Sequence, residues 1–221
     1  SYATKNNLNW YRLNGYAQWE RTFDMDSNLI HLNIGGRLNY WSYNNQLVGG
    51  PRILASYKPN WKKHYRFKAA WGMYHQPPSY REMRNIEGFV NPNIKAQTSI
   101  HYVLGAEHDF KMWERPFKIS AEVYYKDLQN QIEYQDGANL LLDETVETQL
   151  AFGRGWSYGA EFMLKKTSGK LTGWVSYTWS RTLREFEEIN NGDPFPARQD
   201  RIHDISVVAS YQLSPKWNFG A

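Results

Sequence analysis

The chain of 221 residues contains no cysteine, which excludes a disulfide scaffold and a thiolate metal site. No stretch of about 18 apolar residues occurs, which excludes a transmembrane helix. A dense basic cluster is also lacking: the net charge is +4 and the Lys and Arg residues are scattered, so we expect no nucleic-acid partner. Charged residues make up 22% of the chain, close to the globular average, so wholesale disorder is not expected.

Aromatic residues are the abundant class, with 10 Trp, 16 Tyr and 10 Phe. The mean hydropathy is -0.73 although 41% of the residues are hydrophobic, so polar residues are mixed among the apolar ones. Trp and Tyr favour membrane–water interfaces. A soluble carbohydrate-binding β-sandwich would be equally rich in Trp and Tyr, so the composition alone leaves both classes open.

Apolar and polar residues alternate with a period of two, which is the periodicity of a β-strand. Between residues 10 and 21, for example, Leu13 and Trp19 fall on one face and Arg12 and Glu20 on the other. Several segments keep the alternation for about ten residues, close to the ~9–11 that a tilted strand needs to cross a bilayer, whereas strands average ~5–6 in soluble proteins. About ten strands are predicted, at residues 10–21, 30–40, 51–57, 65–73, 100–108, 117–126, 156–165, 171–179, 203–213 and from 217 onward.

The connections between these segments alternate in length along the chain. The short ones contain Asp, Asn, Gly and Pro residues that form turns. Because an up-and-down meander places every second connection at the same end, we expect all short turns at one end and all long loops at the other. Short links are predicted at residues 24–28, 58–62, 109–115, 167–170 and 213–216, and long links at 42–50, 75–96, 131–148 and 184–201.

This combination of long strands, short turns at one end and long loops at the other is typical of outer-membrane barrels. The sequence therefore predicts an all-β protein, a transmembrane antiparallel up-and-down β-barrel in the cell outer membrane, with outer-membrane lipid as a partner and its long loops extracellular. Eight apolar residues are predicted to face lipid: Leu13, Ile34, Phe67, Leu104, Val123, Phe162, Val175 and Val207. Six charged residues are predicted to face the lumen: Arg12, Arg37, Lys68, Glu122, Glu161 and Lys165.

Five runs of residues carry a resemblance to a known family through their order and spacing. They are 67–83 (FKAAWGMYHQPPSYREM), 95–105 (KAQTSIHYVLG), 117–128 (FKISAEVYYKDL), 158–161 (YGAE) and 198–204 (RQDRIHD). Together they resemble the barrel of TonB-dependent outer-membrane receptors of the Bacteroidetes type, over most of the chain from about Leu13 onward.

The resemblance implies a 22-stranded barrel with an N-terminal plug. Such a receptor takes up a scarce nutrient, such as a ferric siderophore or another small polar cargo, with energy delivered by TonB. Residues 1–221 are then expected to be a partial outer-membrane β-barrel from the later part of the wall, without the plug domain, the TonB box and the remaining strands. TonB is expected as a partner through parts that are not in this chain. Because about ten strands leave two unpaired edges, we expect an open sheet.

A second class of function stays open on the sequence. A non-transporting outer-membrane barrel would serve as a structural or assembly partner of a surface lipoprotein, a secretion complex or other outer-membrane proteins. The sequence upstream would discriminate, because a plug and a TonB box belong to the receptor alone.

Motifs for catalysis are lacking: there is no Gly-rich phosphate loop, no nucleophile elbow and no His-Glu-x-x-His run, so we expect neither an enzyme nor a cofactor. His101 and His108 are seven residues apart, and an odd separation places them on opposite faces of one strand. His203 with Asp200 and Asp204 is the best candidate metal cluster, but the ordinary polarity of a solvated loop explains it better, so no metal is expected.

Candidate substrate-binding residues lie in two of the long loops. Pro77 and Pro78 stiffen the exit from a strand, and the basic and aromatic side chains beyond them would meet an anionic ligand such as a ferric siderophore. The alternative is that these side chains pair with carboxylates of the lumen or the plug. The candidates are Tyr80, Arg81 and Arg84 in the second long loop and Arg198, Asp200 and Arg201 in the last one.

Overall fold

One antiparallel sheet forms the fold in the computed structural model of this chain, which describes residues 10–79, 82, 93–134 and 150–220. Ten of its eleven strands form a meander, in which each strand pairs with the next and β8 pairs with β10. The remaining strand, β9, lies off this path and pairs with β8. The strands are β1 (Arg12–Met25), β2 (Asn28–Trp41), β3 (Gln46–Lys58), β4 (His64–Gln76), β5 (Gln97–Met112), β6 (Arg115–Tyr134), β7 (Leu150–Lys166), β8 (Leu171–Phe186), β9 (Phe195–Pro196), β10 (His203–Ser214) and β11 (Trp217–Gly220).

The predicted all-β, up-and-down architecture is confirmed, and the predicted strands are all present. Most strands are longer than predicted: β6 has 20 residues and β7 has 17. The two-residue strand β9 has no counterpart among the predictions, because two residues are too few to show a period. The length of the strands fits a membrane crossing better than a soluble sheet.

The two faces of the sheet differ in polarity, as the period of two predicts. All eight residues predicted to face lipid are exposed, by between 39% and 61%, and the described residues contain no second sheet that covers them. We call the face that carries them the apolar face and the other the polar face. The residues predicted to face the lumen lie on the polar face, where one row of paired residues contains Lys68, Gly105, Glu122 and Glu161 on successive strands.

The apolar face carries a band with nearly the height of a membrane core. On β7 the band runs from Trp156 to Leu164 at every second position, with Arg154 just beyond one end and Lys166 just beyond the other. Eight residue steps of about 3.4 Å make about 27 Å along the strand, or about 20 Å along the membrane normal at a tilt near 40°. Outer-membrane barrels carry an apolar band about 25 Å tall. The band on β7 is therefore somewhat shorter than that, while the strand itself, with 17 residues, exceeds the ~9–11 residues that a crossing needs.

The connections define two ends of the sheet. At the short-turn end, the links at 26–27, 59–63, 113–114, 167–170 and 215–216 contain two to five residues. Two of the two-residue links, 26–27 and 113–114, reverse the chain through residues with positive φ: Trp113 and Glu114, for example, have φ of 51° and 56°, the geometry of a type I′ hairpin. The opposite end is the long-loop end.

The predicted alternation of short and long links is wrong at the first long link. A loop was expected at 42–50, but β3 begins directly after the turn at 42–45. The two glycines at the end of this stretch, Gly49 and Gly50, belong to the strand. A Cβ on Gly50 would lie 2.7 Å from the carbonyl oxygen of Met73, so the close approach of β4 requires glycine there. Pro51 is tolerated because the ladder between β3 and β4 starts one residue later.

A small buried core lies at the long-loop end. After β8 the chain forms a short 3-10 helix (Asn190–Gly192) before β9. Ala151, Phe186 and Ile189 are buried together, and Phe195 packs against them with its ring centre 6.1 Å from that of Phe186. The long link predicted at 184–201 is therefore partly ordered by packing. Those predicted at 75–96 and 131–148 lie largely outside the described residues.

The sheet is open, as predicted. Its edge strands are β1 and β11, and each of them pairs with one neighbour only. Among the described residues, no helix has the length and apolar character needed to cross a membrane.

Candidate functional site on the polar face

Three side chains from neighbouring strands stack on the polar face, toward the long-loop end. The guanidinium carbon of Arg52 lies 4.5 Å from the ring centre of Tyr74, and this ring lies 4.5 Å from the ring of His101. The stack covers Gly72, where a Cβ would come within 3.2 Å of Arg52 Cγ and 3.3 Å of the Tyr74 hydroxyl. His101 is held further by a 2.7 Å hydrogen bond between its Nε2 and the hydroxyl of Ser99.

A second cation–aromatic pair continues this stack on β6. Lys126 lies opposite His101 in the strand register, and its Nζ is 4.7 Å from the ring centre of Tyr124. The Tyr124 ring lies over Gly159 of β7, where a Cβ would come within 2.8 Å of the tyrosine hydroxyl. Both glycines therefore leave the space into which an aromatic ring folds, and each ring holds a cation over its face.

The cations of this region have no carboxylate partners in the described part of the chain. Arg52, Lys126 and Arg37 of β2 take part in no ion pair there. Glu133, which is nearer the long-loop end, is bound by Arg184. An anionic group from outside the sheet would therefore find cations that no ion pair of the described residues engages, beside aromatic rings. We call this set the cation–aromatic patch; it consists of Arg37, Arg52, Tyr74, His101, Tyr124 and Lys126.

Toward the short-turn end, the polar face carries carboxylates as well as cations. Glu107 forms an ion pair with Lys68 and lies 3.6 Å from the Nζ of Lys118. Glu122 and Glu161 are directly opposite each other in the register and line a cavity of about 410 Å³. Two carboxylates placed opposite each other on neighbouring strands repel each other. This pair is therefore a place where a cationic group would be stabilised.

The candidates in the last long link divide into one buried and two exposed side chains. Asp200 has a side chain only 7% exposed. Its carboxylate accepts a 2.6 Å hydrogen bond from the backbone amide of Thr182 and lies 3.1 Å from Nε of Arg181. Arg198 is exposed, and the guanidinium of Arg201 lies 3.6 Å from the carboxylate of Asp204. The link thus brings Asp200 to β8 rather than to the two arginines, and their role in binding stays a prediction.

Replacing Asp200 by Ala is expected to loosen the junction between this link and β8. The substitution removes one charge-assisted hydrogen bond, which contributes about 1.5–3 kcal/mol, and leaves Arg181 without its partner. Hydrogen exchange of the Thr182 amide should become faster in the Ala variant, whereas Asp200→Asn, which keeps an acceptor oxygen, should change it less. Equal protection in the parent and in both variants would contradict this role.

Tyr80, Arg81 and Arg84 lie outside the described residues, but the chain just before them is anchored. Pro77 and Pro78 lie beside a cluster in which the Arg12 guanidinium carbon is 5.4 Å from the ring of Trp10 and 5.8 Å from that of Trp41. Burial raises the pKa of Tyr43, in the same cluster, to about 12. The anchored strand end is where the predicted binding loop begins.

The histidines show no shared ion site in the described residues. His101 lies on the polar face and His108 on the apolar face, where its ring stacks 4.2 Å from that of Tyr65, so the predicted opposite facing is confirmed. A 2.8 Å hydrogen bond joins Nδ1 of His203 to the hydroxyl of Tyr177. Over the described ranges, no group of three or more His, Asp or Glu residues is arranged to hold a metal ion.

A single meander with an apolar band on one face and charged groups on the other defines the wall of an outer-membrane β-barrel. The family model described as "TonB dependent receptor-like, beta-barrel" matches residues 1–221, and the chain belongs to that family. The family consists of outer-membrane receptors and transporters rather than enzymes. Because the outside of an outer-membrane barrel is apolar and its inside polar, the polar face of this sheet is a lumen wall. The resemblance found in the sequence is confirmed at the level of the family, and a non-transporting barrel is not favoured.

Two solved structures are similar in fold. One is the FpvAI–pyocin S2 complex, with a TM-score of 0.64 and 14% identity. The other is the ferripyoverdine receptor of the outer membrane of Pseudomonas aeruginosa bound to ferripyoverdine, with a TM-score of 0.63 and 15% identity. Each match covers 96% of this chain but only 28% and 27% of the respective neighbour. No curated protein is significantly similar in sequence.

Proposed function

We propose that the chain is part of the barrel of a TonB-dependent transporter that takes up a scarce, small, polar or anionic nutrient such as a ferric siderophore. The observation that carries this proposal is the cation–aromatic patch. Its cations lie on the lumen face without carboxylate partners in the described residues, and its rings supply stacking surface. Charge-assisted hydrogen bonds to an anionic cargo would be strong in a lumen from which much water is displaced.

The lengths of the connections support an orientation in the membrane. We propose that the long-loop end is extracellular and the short-turn end periplasmic, as in other outer-membrane barrels. The cation–aromatic patch is then on the side from which cargo arrives. Loops that present binding residues tolerate length well, because the entropy of closure rises only slowly with it.

The complete protein is proposed to contain further strands and a plug. The open edges of β1 and β11 would be unsatisfied in lipid, so additional strands would have to pair with them. The facing carboxylates of Glu122 and Glu161 would be stabilised by a cationic group, which a plug inside the lumen can supply. TonB would act through those parts of the protein and not through this chain.

The test is the pair Arg52→Gln and Lys126→Gln in the intact receptor. Each lost charge-assisted hydrogen bond contributes about 1.5–3 kcal/mol, so the apparent affinity for an anionic cargo should fall by at least about tenfold. The control is Lys118→Gln with Lys165→Gln, which removes two charges of the same sign from the lumen face near the short-turn end. Uptake of labelled nutrient and heat-modifiable gel mobility would be measured for both variants. Unchanged uptake in the first variant, or an equal loss in both, would contradict the proposal.

Tyr80, Arg81 and Arg84 form a second arm of the same experiment. Their joint replacement by Ala is expected to weaken uptake without unfolding the barrel, the arginines acting through charge and the tyrosine through stacking or its hydroxyl. Growth on the limiting nutrient would be compared with growth of the parent. Normal growth of a fully assembled variant would remove this loop from the binding site and leave the cation–aromatic patch to be judged by its own variants.

A further inference from the structure

We infer that the apolar face carries a binding site for the phosphate headgroup of an anionic phospholipid at the short-turn end, formed by Arg115 and Lys166. This inference goes beyond the uptake of cargo, because it concerns the lipid-facing surface. It rests on three observations: the two cations converge, they lack carboxylate partners, and they border a continuous belt of aromatic rings.

The two cations converge on one point beside a turn. Arg115 begins β6 and Lys166 ends β7, and both fall on the apolar face by their position in the strands. A Cβ placed on Gly169 would lie 3.4 Å from Nζ of Lys166 and 3.7 Å from Nε of Arg115. Lys166 Nζ donates a 2.5 Å hydrogen bond to the carbonyl oxygen of Leu171, which holds the ammonium group at this place. Two cations are thus positioned to reach one phosphate group.

The cations at the two ends of the apolar face differ in whether they have carboxylate partners. At the long-loop end, Arg154 is paired with Glu185 by hydrogen bonds of 3.0–3.2 Å, and Arg181 lies 3.1 Å from Asp200. At the short-turn end, neither cation of the proposed site forms an ion pair with a carboxylate of the described residues. At the long-loop end, carboxylates of the protein itself neutralise the cations. At the short-turn end, the described residues provide no such carboxylate, so an anion from the surroundings would have to do so.

An aromatic belt lies directly beside the two cations. Trp113 is 79% exposed, and its ring centre is 6.3 Å from that of Phe117, which is 5.7 Å from Phe110. The belt continues through His108 to Tyr65, with centroid distances of 5.5 Å and 4.2 Å. Aromatic rings of this kind lie at the level of the lipid headgroups. The surroundings of the two cations are therefore the interfacial region of a membrane.

The depth of the site agrees with a headgroup rather than with acyl chains. On β6 the apolar band ends at Phe117, and Arg115 is two residues further, or about 7 Å along the strand. A charge at this level is outside the hydrocarbon and within reach of phosphate oxygens, to which a guanidinium and an ammonium both donate. An anionic phospholipid supplies both the phosphate for the cations and an acyl chain for the rings.

The experiment measures lipid retention by the intact receptor. Receptor reconstituted with equal amounts of phosphatidylglycerol and phosphatidylcholine would be extracted in mild detergent and analysed by native mass spectrometry for bound lipid. The variant is Arg115→Gln with Lys166→Gln. The control is Lys118→Gln with Lys165→Gln, a pair directly opposite each other in the register on the polar face at nearly the same depth. Both variants lose two positive charges, so net charge alone does not distinguish them.

The parent and the control are expected to retain phosphatidylglycerol in preference to phosphatidylcholine. In the Arg115–Lys166 variant, this preference should fall by about 10- to 30-fold, since each basic residue near an anionic surface contributes a factor of about five. An unchanged preference in that variant, or an equal loss in both variants, would overturn the site. Added inorganic phosphate at millimolar concentration should leave the retention unchanged, because it cannot use the aromatic belt; displacement by phosphate would also overturn it. Uptake of cargo plays no part in the readout, so the outcome is independent of the proposed transport function.

Discussion

Replacing Leu104 by Arg is expected to lower the free energy of unfolding by about 2–4 kcal/mol, the cost measured for a basic residue near the midplane on the lipid face of an outer-membrane barrel. Leu104 lies at the middle of β5, on the apolar face, and is 61% exposed. It pairs with Ala69 and Val123, so its surroundings in the sheet are apolar as well. An arginine there has no carboxylate beside it and would have to reach along the strand to leave the hydrocarbon.

The matched control is Val103→Arg, the same kind of substitution on the neighbouring residue. Val103 is on the polar face, opposite Ala70 and Tyr124, where an arginine would extend into the lumen. We expect a change smaller than about 1 kcal/mol, since lumen positions accept charge. Unfolding in lipid vesicles would be followed by heat-modifiable gel mobility across a urea series. If Val103→Arg cost as much as Leu104→Arg, the assignment of the two faces would be wrong.

Replacing Gly173 by Val is expected to disturb the pairing of β8 with β10 severely. A Cβ on Gly173 would lie 2.1 Å from the carbonyl oxygen of Val208 and 3.0 Å from Cα of Ala209. Its φ is +152°, a conformation that residues with a side chain rarely adopt. Overpacking and backbone strain each cost about 1–3 kcal/mol, and the backbone atoms in the way cannot rotate aside as a side chain can.

Gly36→Val is the control for this substitution. Gly36 is also a strand glycine on the apolar face, but a Cβ there would have nothing within 4 Å. Its φ is not in the positive range, and a β-branched residue fits a strand better than glycine does, so we expect the stability to stay the same or to rise slightly. The folded fraction of both variants in the outer membrane would be compared with that of the parent. Normal assembly of Gly173→Val would show that β8 and β10 do not approach each other as described.

The sequence predicted the facing of residues better than the extent of the strands. The polarity of Arg37, Lys68 and Glu161 against that of Ile34 and Phe67 already assigns the two faces, because side chains in a strand alternate strictly. The strand ends were predicted less well. Gly50 was assigned to a loop and Pro51 to the start of a strand, and only the approach of β4 shows why β3 includes a glycine at position 50.

The extent of β6 gives a second example of this limit. A loop was predicted from residue 131, but the strand continues to Tyr134 past a bulge at Asn130, whose φ is +53°. The bulge inserts one residue, so Gln131 and Glu133 fall on the polar face together with Leu128, although simple alternation would place them opposite it. Without the bulge, Glu133 would not meet Arg184. A bulge has no signature in the period of two, which is why the sequence could not reveal it.

The candidate site also contains one part that the sequence predicted and one part that it did not. The loop residues Tyr80, Arg81 and Arg84 were chosen for their residue types and for the prolines before them, and they stay a prediction. The cation–aromatic patch was not predicted, although one of its members, Arg37, was already predicted to face the lumen. Its members come from β2 to β6 and lie up to 89 positions apart, from Arg37 to Lys126. The order of residues within one strand does not show which residue of the next strand lies opposite each of them.

The sequence by itself determined the class of fold, the two faces and the family, because each depends on local alternation or on runs of consecutive residues. Only the tertiary structure decided which side chains meet, because the strand register fixes neighbours that are far apart in the chain. The register places His101 opposite Lys126 and brings Arg52 to Tyr74 over a glycine, and it sets Glu122 against Glu161. It also leaves Arg115 and Lys166 beside one turn without a carboxylate among the described residues, since the turns align the two strand ends at one level of the membrane.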